Sequence, residues 1–307
     1  MDPAGKGVWV FGVKAFVGAS VVAITLATTL AGCAADGQEH AAVVVGSGDE
    51  VTSELLAHIY AGAVRSAGVA VTVKEGLGER ADYLTALDAG EISLVPDFTG
   101  DLLHTFDSLS GATEAEDVFI DLNRSLPEGL SVGDYSLAED RTTIAVSPTG
   151  PLSELSTISE LASAHIDASV GVVGDPAKPD PQEVVFGLRS AADFSGAGST
   201  DFVVYADAQG AVDALNSGEI GALAFTTASF GPLAADLTTL EDDDSVFTAQ
   251  NVVPLMREGV LDDSAYATLS VVAGELTTAD LADMIGEVRS GGASGDVAAR
   301  WLGEHNL

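Results

Sequence analysis

The sequence predicts an α/β protein whose two lobes face one cleft, and three observations carry that expectation. First, Ala86-Leu87-Asp88-Ala89-Gly90-Glu91-Ile92, continuing to Phe98-Thr99, is matched by Ala214-Leu215-Asn216-Ser217-Gly218-Glu219-Ile220, continuing to Phe225-Thr226. In each copy an apolar helical pattern stops at a glycine able to take the left-handed conformation, and a buried strand follows. Each strand delivers a Phe-Thr pair at its C-terminal end, the edge of an open α/β sheet where ligands sit. Second, residues 42–73 read strand, helix, strand, one βαβ unit and therefore a parallel pair with a right-handed crossover. Third, 307 residues are enough for about two domains, each with its own core.

Taken in order, the apolar strand at 42–45 runs into the turn Gly46-Ser47-Gly48-Asp49. A helix from about Thr52 places Leu55, Leu56, Ile59, Tyr60 and Val64 at helical spacing and closes near Gly68. A strand at 69–73 leads to the glycine-rich Gly76-Leu77-Gly78-Glu79-Arg80. After the first repeat, residues 101–126 read as helical segments broken at Ser110-Gly111-Ala112. The β-branched run Thr142-Thr143-Ile144-Ala145-Val146 is a strand ended by Ser147-Pro148, where the first interlobe crossing is placed. The second lobe opens with a helix at 158–164, a strand at 169–173 and a proline-rich loop at 174–181. Residues 237–253 return through Glu241-Asp242-Asp243-Asp244, read as a solvated turn. Thr277 and Asp280 form a capping box ahead of Leu281, Met284, Ile285 and Val288. The expected division is 1–32 as an export signal, 33–41 as a tether, 42–146 with 241–307 as the first lobe, and 147–240 as the second.

Charge narrows the partners. With 47 acids against 12 bases the chain carries a formal charge of −35, which argues against nucleic acid and against adhesion to an anionic membrane surface. At the N-terminus, Lys6 and Lys14 precede an apolar run at 15–30, which leads into Leu30-Ala31-Gly32-Cys33, the layout of a secretory signal closed by a lipobox. Cys33 is the only cysteine. An exported chain cannot use one thiol for an internal disulfide, whereas lipidation gives it a purpose. The alternative is an uncleaved membrane helix over 8–32 with Lys14 snorkelling. The lipobox reading makes the protein exported and lipid-anchored on the outer face of the cell membrane.

Catalytic signatures are missing. The sequence holds no GxxxxGK phosphate loop, no GxSxG elbow, no HExxH helix and no paired-cysteine spacing. His40, His58, His104, His165 and His305 lie far apart, without a second histidine or a cysteine at ligand spacing, so no metal and no cofactor is expected and no enzyme is indicated.

Val45-Gly46-Ser47-Gly48-Asp49, with Leu55-Leu56-Ala57 and Ile59-Tyr60-Ala61, resembles the start of the substrate-binding proteins of osmoprotectant ABC importers, which bind glycine betaine, carnitine or choline. Leu77-Gly78-Glu79-Arg80, Tyr83 and Val95-Pro96-Asp97-Phe98-Thr99-Gly100 are similar to that family in the same order, as are Ala138-Glu139-Asp140, Gln250-Asn251-Val252-Val253-Pro254 and Leu276-Thr277-Thr278. The resemblance implies a two-lobed periplasmic-binding-protein fold of type II with discontinuous lobes and two hinge crossings. It also implies a cleft closing on a small molecule, and a permease with its ATPase as partners of a monomer. Departures bear on the ligand. Phe98, Thr142 and the region of Val212 stand where the family often places tyrosines, and Thr227-Ala228 replaces a Thr-Asp pair. A depleted aromatic cage leaves open a larger, less charged or polyhydroxylated ligand, or a sensor lipoprotein without transport.

The candidate ligand residues are Ser47, Gly48, Asp49, Phe98, Thr99, Asp140, Thr142, Phe225, Thr226 and Thr227. Their hydroxyls and backbone would hydrogen-bond the ligand and the phenylalanines would supply apolar faces. Arg80 is read as a structural ion pair ahead of a partner for a ligand carboxylate.

Overall fold

The computed structural model describes residues 42–164, 169–173, 202–230 and 236–307. The first sheet has the order β2-β1-β3-β10-β4, built from β1 (Val43–Gly46), β2 (Val71–Lys74), β3 (Leu94–Phe98), β4 (Leu130–Val132) and β10 (Val252–Arg257). The second has the order β7-β6-β8-β5-β9, from β5 (Thr142–Val146), β6 (Val170–Val173), β7 (Phe202–Tyr205), β8 (Ala222–Thr226) and β9 (Thr238–Thr239). In each sheet three parallel strands are followed by one antiparallel strand that enters from the other lobe: β10 lies against β3, and β5 against β8. The fold is the two-lobed periplasmic-binding type.

Both faces of each sheet are covered, as parallel strands require. On one face of the first sheet Val43, Val45 and Leu94 meet α1 (Val51–Ser66), α8 (Asp263–Glu275), α9 (Thr278–Arg289) and α10 (Ser294–Glu304). On the other, Val95, Val253 and Leu255 meet α2 (Arg80–Asp88), α3 (Thr99–Phe106) and α4 (Ala115–Ser125). Leu55, Leu56 and Ile59 of α1 are fully buried, each contributing roughly 1.5–3 kcal/mol. The second sheet is covered by Ile158 and Leu161 of α5 (Ile158–Ser163) on one side and by Ala211, Ala214 and Leu215 of α6 (Ala208–Ser217) on the other. The repeated helix, turn and strand are α2 with β3 and α6 with β8. Their glycines, Gly90 and Gly218, both have the positive φ that closes such a turn. Among the described residues no helix is long and apolar enough to cross a membrane.

The two crossings run side by side. Glu139 bridges Asn251 in antiparallel fashion, Asp140 N–H donates to Gln250 O at 3.0 Å, and Val252 N–H donates to Ala138 O at 2.9 Å. Two threonines fasten them in the same way. Thr99 Oγ1 accepts from Asn251 N–H at 3.1 Å and donates to Ala249 O at 3.3 Å. Thr227 Oγ1 accepts from Arg141 N–H and donates to Glu139 O, each at 3.1 Å. The short helix α7 (Thr227–Phe230) begins at the second of these, and Ala228 is buried in the first lobe's core.

These contacts correct the expected boundaries. Thr142–Val146 belongs to the second sheet, so the first crossing lies at 139–141, ahead of that strand, and not at Ser147-Pro148. An apolar strand shows in its sequence that it is buried, but not which sheet pairs with it. The return lies at 248–251 and not at 241, because Leu240 and Phe247 pack in the second lobe and Glu241 bridges Thr157. The acidic run is also more than a solvated turn: Asp242 accepts from Val246 and Phe247 N–H, and Asp243 from Ser159 N–H at the start of α5. The export signal, the tether and the loop at 174–181 lie outside the described residues.

The clamp yields a test. Thr99→Val would leave Asn251 N–H without its side-chain acceptor at a site only 1 % exposed, at an expected cost of about 1–3 kcal/mol in urea unfolding. A Cβ on Gly100 would sit 2.7 Å from Ala249 O, a backbone atom, so Gly100→Ala should cost about 1–3 kcal/mol by overpacking. Wild-type midpoints for both variants would show that this joint tolerates adjustment.

Candidate functional site

At the C-terminal ends of β1 and β3 lies a pocket of about 310 Å³. Its walls are the turn after β1 (Gly48, Asp49, Glu50), the first turn of α1 (Thr52, Ser53), the approach to α2 (Gly78, Glu79, Arg80, Tyr83), the end of β3 (Pro96, Asp97, Phe98), and Asp101, Asp140 and Arg289. Backbone contacts fix the corner. Asp49 N–H donates to Gly78 O at 3.2 Å, Gly78 N–H donates to the Asp49 carboxylate at 3.1 Å, and Gly48 N–H donates to Ser53 Oγ at 2.8 Å. Glu79 and Asp82 form the capping box that starts α2, which sets Arg80 and Tyr83 on one helical face at i, i+3.

Those two side chains converge on Asp97, which is 3 % exposed. Its carboxylate accepts from Arg80 Nε and Nη2 at 3.0 Å each, from Tyr83 Oη at 2.7 Å and from Phe98 N–H at 2.8 Å. A buried carboxylate needs such a set of donors. Arg80 also pairs with Asp101, which accepts from Gln250 Nε2 at 2.8 Å. Burial alone would lower the Arg80 pKa, but the bond to Asp97 and the charges of Asp97 and Asp101 outweigh it and hold the guanidinium above its usual range. Burial and the neighbouring Asp97 charge push the Tyr83 phenol well up, so it remains a neutral donor. Burial raises the Asp101 carboxyl against the opposing pull of Arg80. Arg80 is thus an ion-paired wall of the pocket, as the sequence favoured.

The structure brings together four of the expected ligand residues: Gly48, Asp49, Phe98 and Asp140. Asp140 also accepts from Ala228 N–H at 2.8 Å, at the start of α7. Ser47 is fully buried behind the turn, and its Oγ has no protein partner. Thr99 and Thr227 are corrected to hinge fasteners, their hydroxyls committed to the crossings. Thr142 and Thr226 face each other across β5 and β8 and are not among the pocket residues. Phe225 is corrected to a core residue: it is 5 % exposed among Ala145, Leu215 and Leu223. The reason is register. Phe98 pairs with Val252 and its counterpart Thr226 pairs with Thr142, so Phe225 is one residue early and points to the opposite face of its sheet. Cys33 lies outside the described residues.

The sequence reading missed Glu50, Tyr83, Asp97, Asp101 and Arg289. Two signals were available: the i, i+3 spacing of Arg80 and Tyr83, and an acid directly ahead of Phe98 at a strand end. Asp101 and Arg289 reach the pocket only through tertiary packing.

The two sheets, the paired crossings and a pocket at the strand ends define a two-lobed solute-binding protein. The family model for the substrate-binding domain of the ABC-type glycine betaine transport system matches residues 41–304, and the chain belongs to that family of extracytoplasmic substrate-binding components. Among solved structures, apo YehZ from Escherichia coli aligns with a TM-score of 0.68 at 22 % identity over 86 % of this chain and 98 % of that one. A glycine betaine/carnitine/choline ABC transporter protein aligns with a TM-score of 0.70 at 18 % identity over the same shares, 86 % and 98 %. Lactococcal OpuAC in its closed form with glycine betaine aligns with 0.53 at 13 % identity over 86 % and 96 %. No match was found among curated proteins.

The Asp97 network predicts unequal costs. Asp97→Ala should destabilise by about 3 kcal/mol, the low edge for breaking a buried ion pair, because Arg80 is 33 % exposed and keeps Asp101. Tyr83→Phe should cost about 1 kcal/mol. Equal losses in denaturant titrations would show that the ion pair adds nothing beyond one hydrogen bond.

Proposed function

We propose that this chain captures a small organic cation of the quaternary ammonium class between its lobes and delivers it to an ABC permease and its ATPase for import. One observation carries the reading. The pocket walls hold six carboxylates, Asp49, Glu50, Glu79, Asp97, Asp101 and Asp140, against two guanidiniums, Arg80 and Arg289, with the rings of Phe98 and Tyr83 as apolar faces. A methylated ammonium donates no hydrogen bond, so it is held by aromatic faces and by negative potential focused in a cleft. Arg80 is committed to Asp97 and Asp101, which leaves the first-lobe wall acidic in effect. Asp140 lies both on the pocket and at the hinge, which supports closure of the lobes around the solute.

Choline and its neutral isostere 3,3-dimethylbutan-1-ol separate charge from shape. Choline should raise the melting temperature and the isostere should not. Phe98→Ala should weaken choline by about 0.5–2 kcal/mol, roughly two- to thirty-fold. Equal shifts from both compounds, or shifts only from polyhydroxylated solutes, would replace this reading with the less charged ligand that the depleted cage allows. Lipid anchoring at Cys33 belongs to the same proposal and rests on the lipobox and the lone thiol. Cys33→Ala should abolish labelling by a radioactive fatty acid, and retained label would remove the anchor.

A further inference from the structure

We propose that Glu54, His58 and Glu75 form a binding site for a divalent transition-metal ion, with Zn²⁺ as the fitting ion, between α1 and the end of β2. Glu54 and His58 are four residues apart on α1 and therefore share a helical face. Glu75 directly follows β2, and its Oε1 lies 2.8 Å from His58 Nε2. One ligand atom from each of the three falls within 4.8 Å of the others. The set is one imidazole and two carboxylates, the donor types that three-ligand zinc sites use, with a fourth position left for water.

A second observation is that the imidazole is packed on one face. Gly295, in the first turn of α10, lies against the His58 ring, and a Cβ there would be 3.3 Å from Cε1. The absence of a side chain at this point lets α10 pack directly on the ring. Tetrahedral coordination at zinc distances places ligand atoms about 3.3 Å apart. Glu75 Oε1 is already closer than that to His58 and can swing away, since its side chain is 50 % exposed. Without a cation the imidazole is bonded to Glu75, with Glu54 beside it; with one, both carboxylates become ligand charge. The ion would tie α1, whose first turn lines the solute pocket, to the loop that carries Gly78 and Glu79 into it.

The test is Zn²⁺ titration of the full chain after chelator treatment, in excess Mg²⁺ to occupy diffuse acidic sites. The expected result is one Zn²⁺ per chain with a rise in melting temperature and a shift of the His58 ring resonances. His58→Gln and Glu75→Gln should each weaken binding at least about tenfold, a loss that even supporting residues of metal sites produce. Glu54→Gln, a conservative change on a helix surface, provides a variant whose folding is not at stake. Undiminished stoichiometric binding in these variants, or no saturable Zn²⁺ binding over Mg²⁺, would overturn the site. No organic solute enters this measurement, so its failure would leave solute capture standing.

Discussion

The two lobes depend on one small joint, where two strands of chain cross between the sheets and two threonines hold them. Thr99 bonds the backbone of Ala249 and Asn251, and Thr227 bonds that of Glu139 and Arg141. Each threonine sits just after the last strand of its parallel set, so each sheet carries its own fastener to the joint. The crossings also pair with each other through Glu139 and Asn251. Because a hydroxyl both donates and accepts, one side chain satisfies two backbone groups that would otherwise be stranded where water is scarce. The backbone of the joint is therefore tied by both threonines and by its own pairing.

The pocket beside this joint solves a problem of charge. A wall rich in carboxylates attracts a cation but destabilises itself, and the cost grows with burial. Asp97, the most buried of them, is neutralised by Arg80 and given further donors by Tyr83 and Phe98 N–H. That arrangement orients the Tyr83 ring and anchors the backbone of Phe98, the two aromatic faces of the pocket. The ion pair thus holds the apolar surfaces in place, while Asp49, Glu50 and Asp140 carry the negative charge.

The two lobes use one plan with different contents. In the first, the residue before the fastening threonine is Phe98, whose ring lines the pocket; in the second it is Thr226. The counterpart of Asp97 is Phe225, buried against Leu215 and Leu223. At this position the first lobe has a charged network and the second a buried ring. The described pocket accordingly lies on the first lobe and the joint.

Much of this was legible in the residues. Alternation of apolar helices and strands with glycine stops determined the α/β class, because burial periodicity and left-handed turns are local properties. The repeat correctly marked α2 with β3 and α6 with β8 as equivalent units, and the motif order pointed to the family. Gly48, Asp49, Phe98 and Asp140 were readable as pocket residues because they lie at strand ends, turns or the crossing. Tertiary structure decided the rest. It assigned Thr142–Val146 to the second sheet, since strand partners are chosen across long stretches of chain. It sent Phe225 inward through a one-residue difference in register that the matching Phe-Thr pairs concealed. It turned Thr99 and Thr227 from ligand donors into fasteners, because a hydroxyl's partner depends on what packs against it. It also brought Glu75 beside Glu54 and His58, since the spacing of residues along a chain does not show which of them meet across a fold.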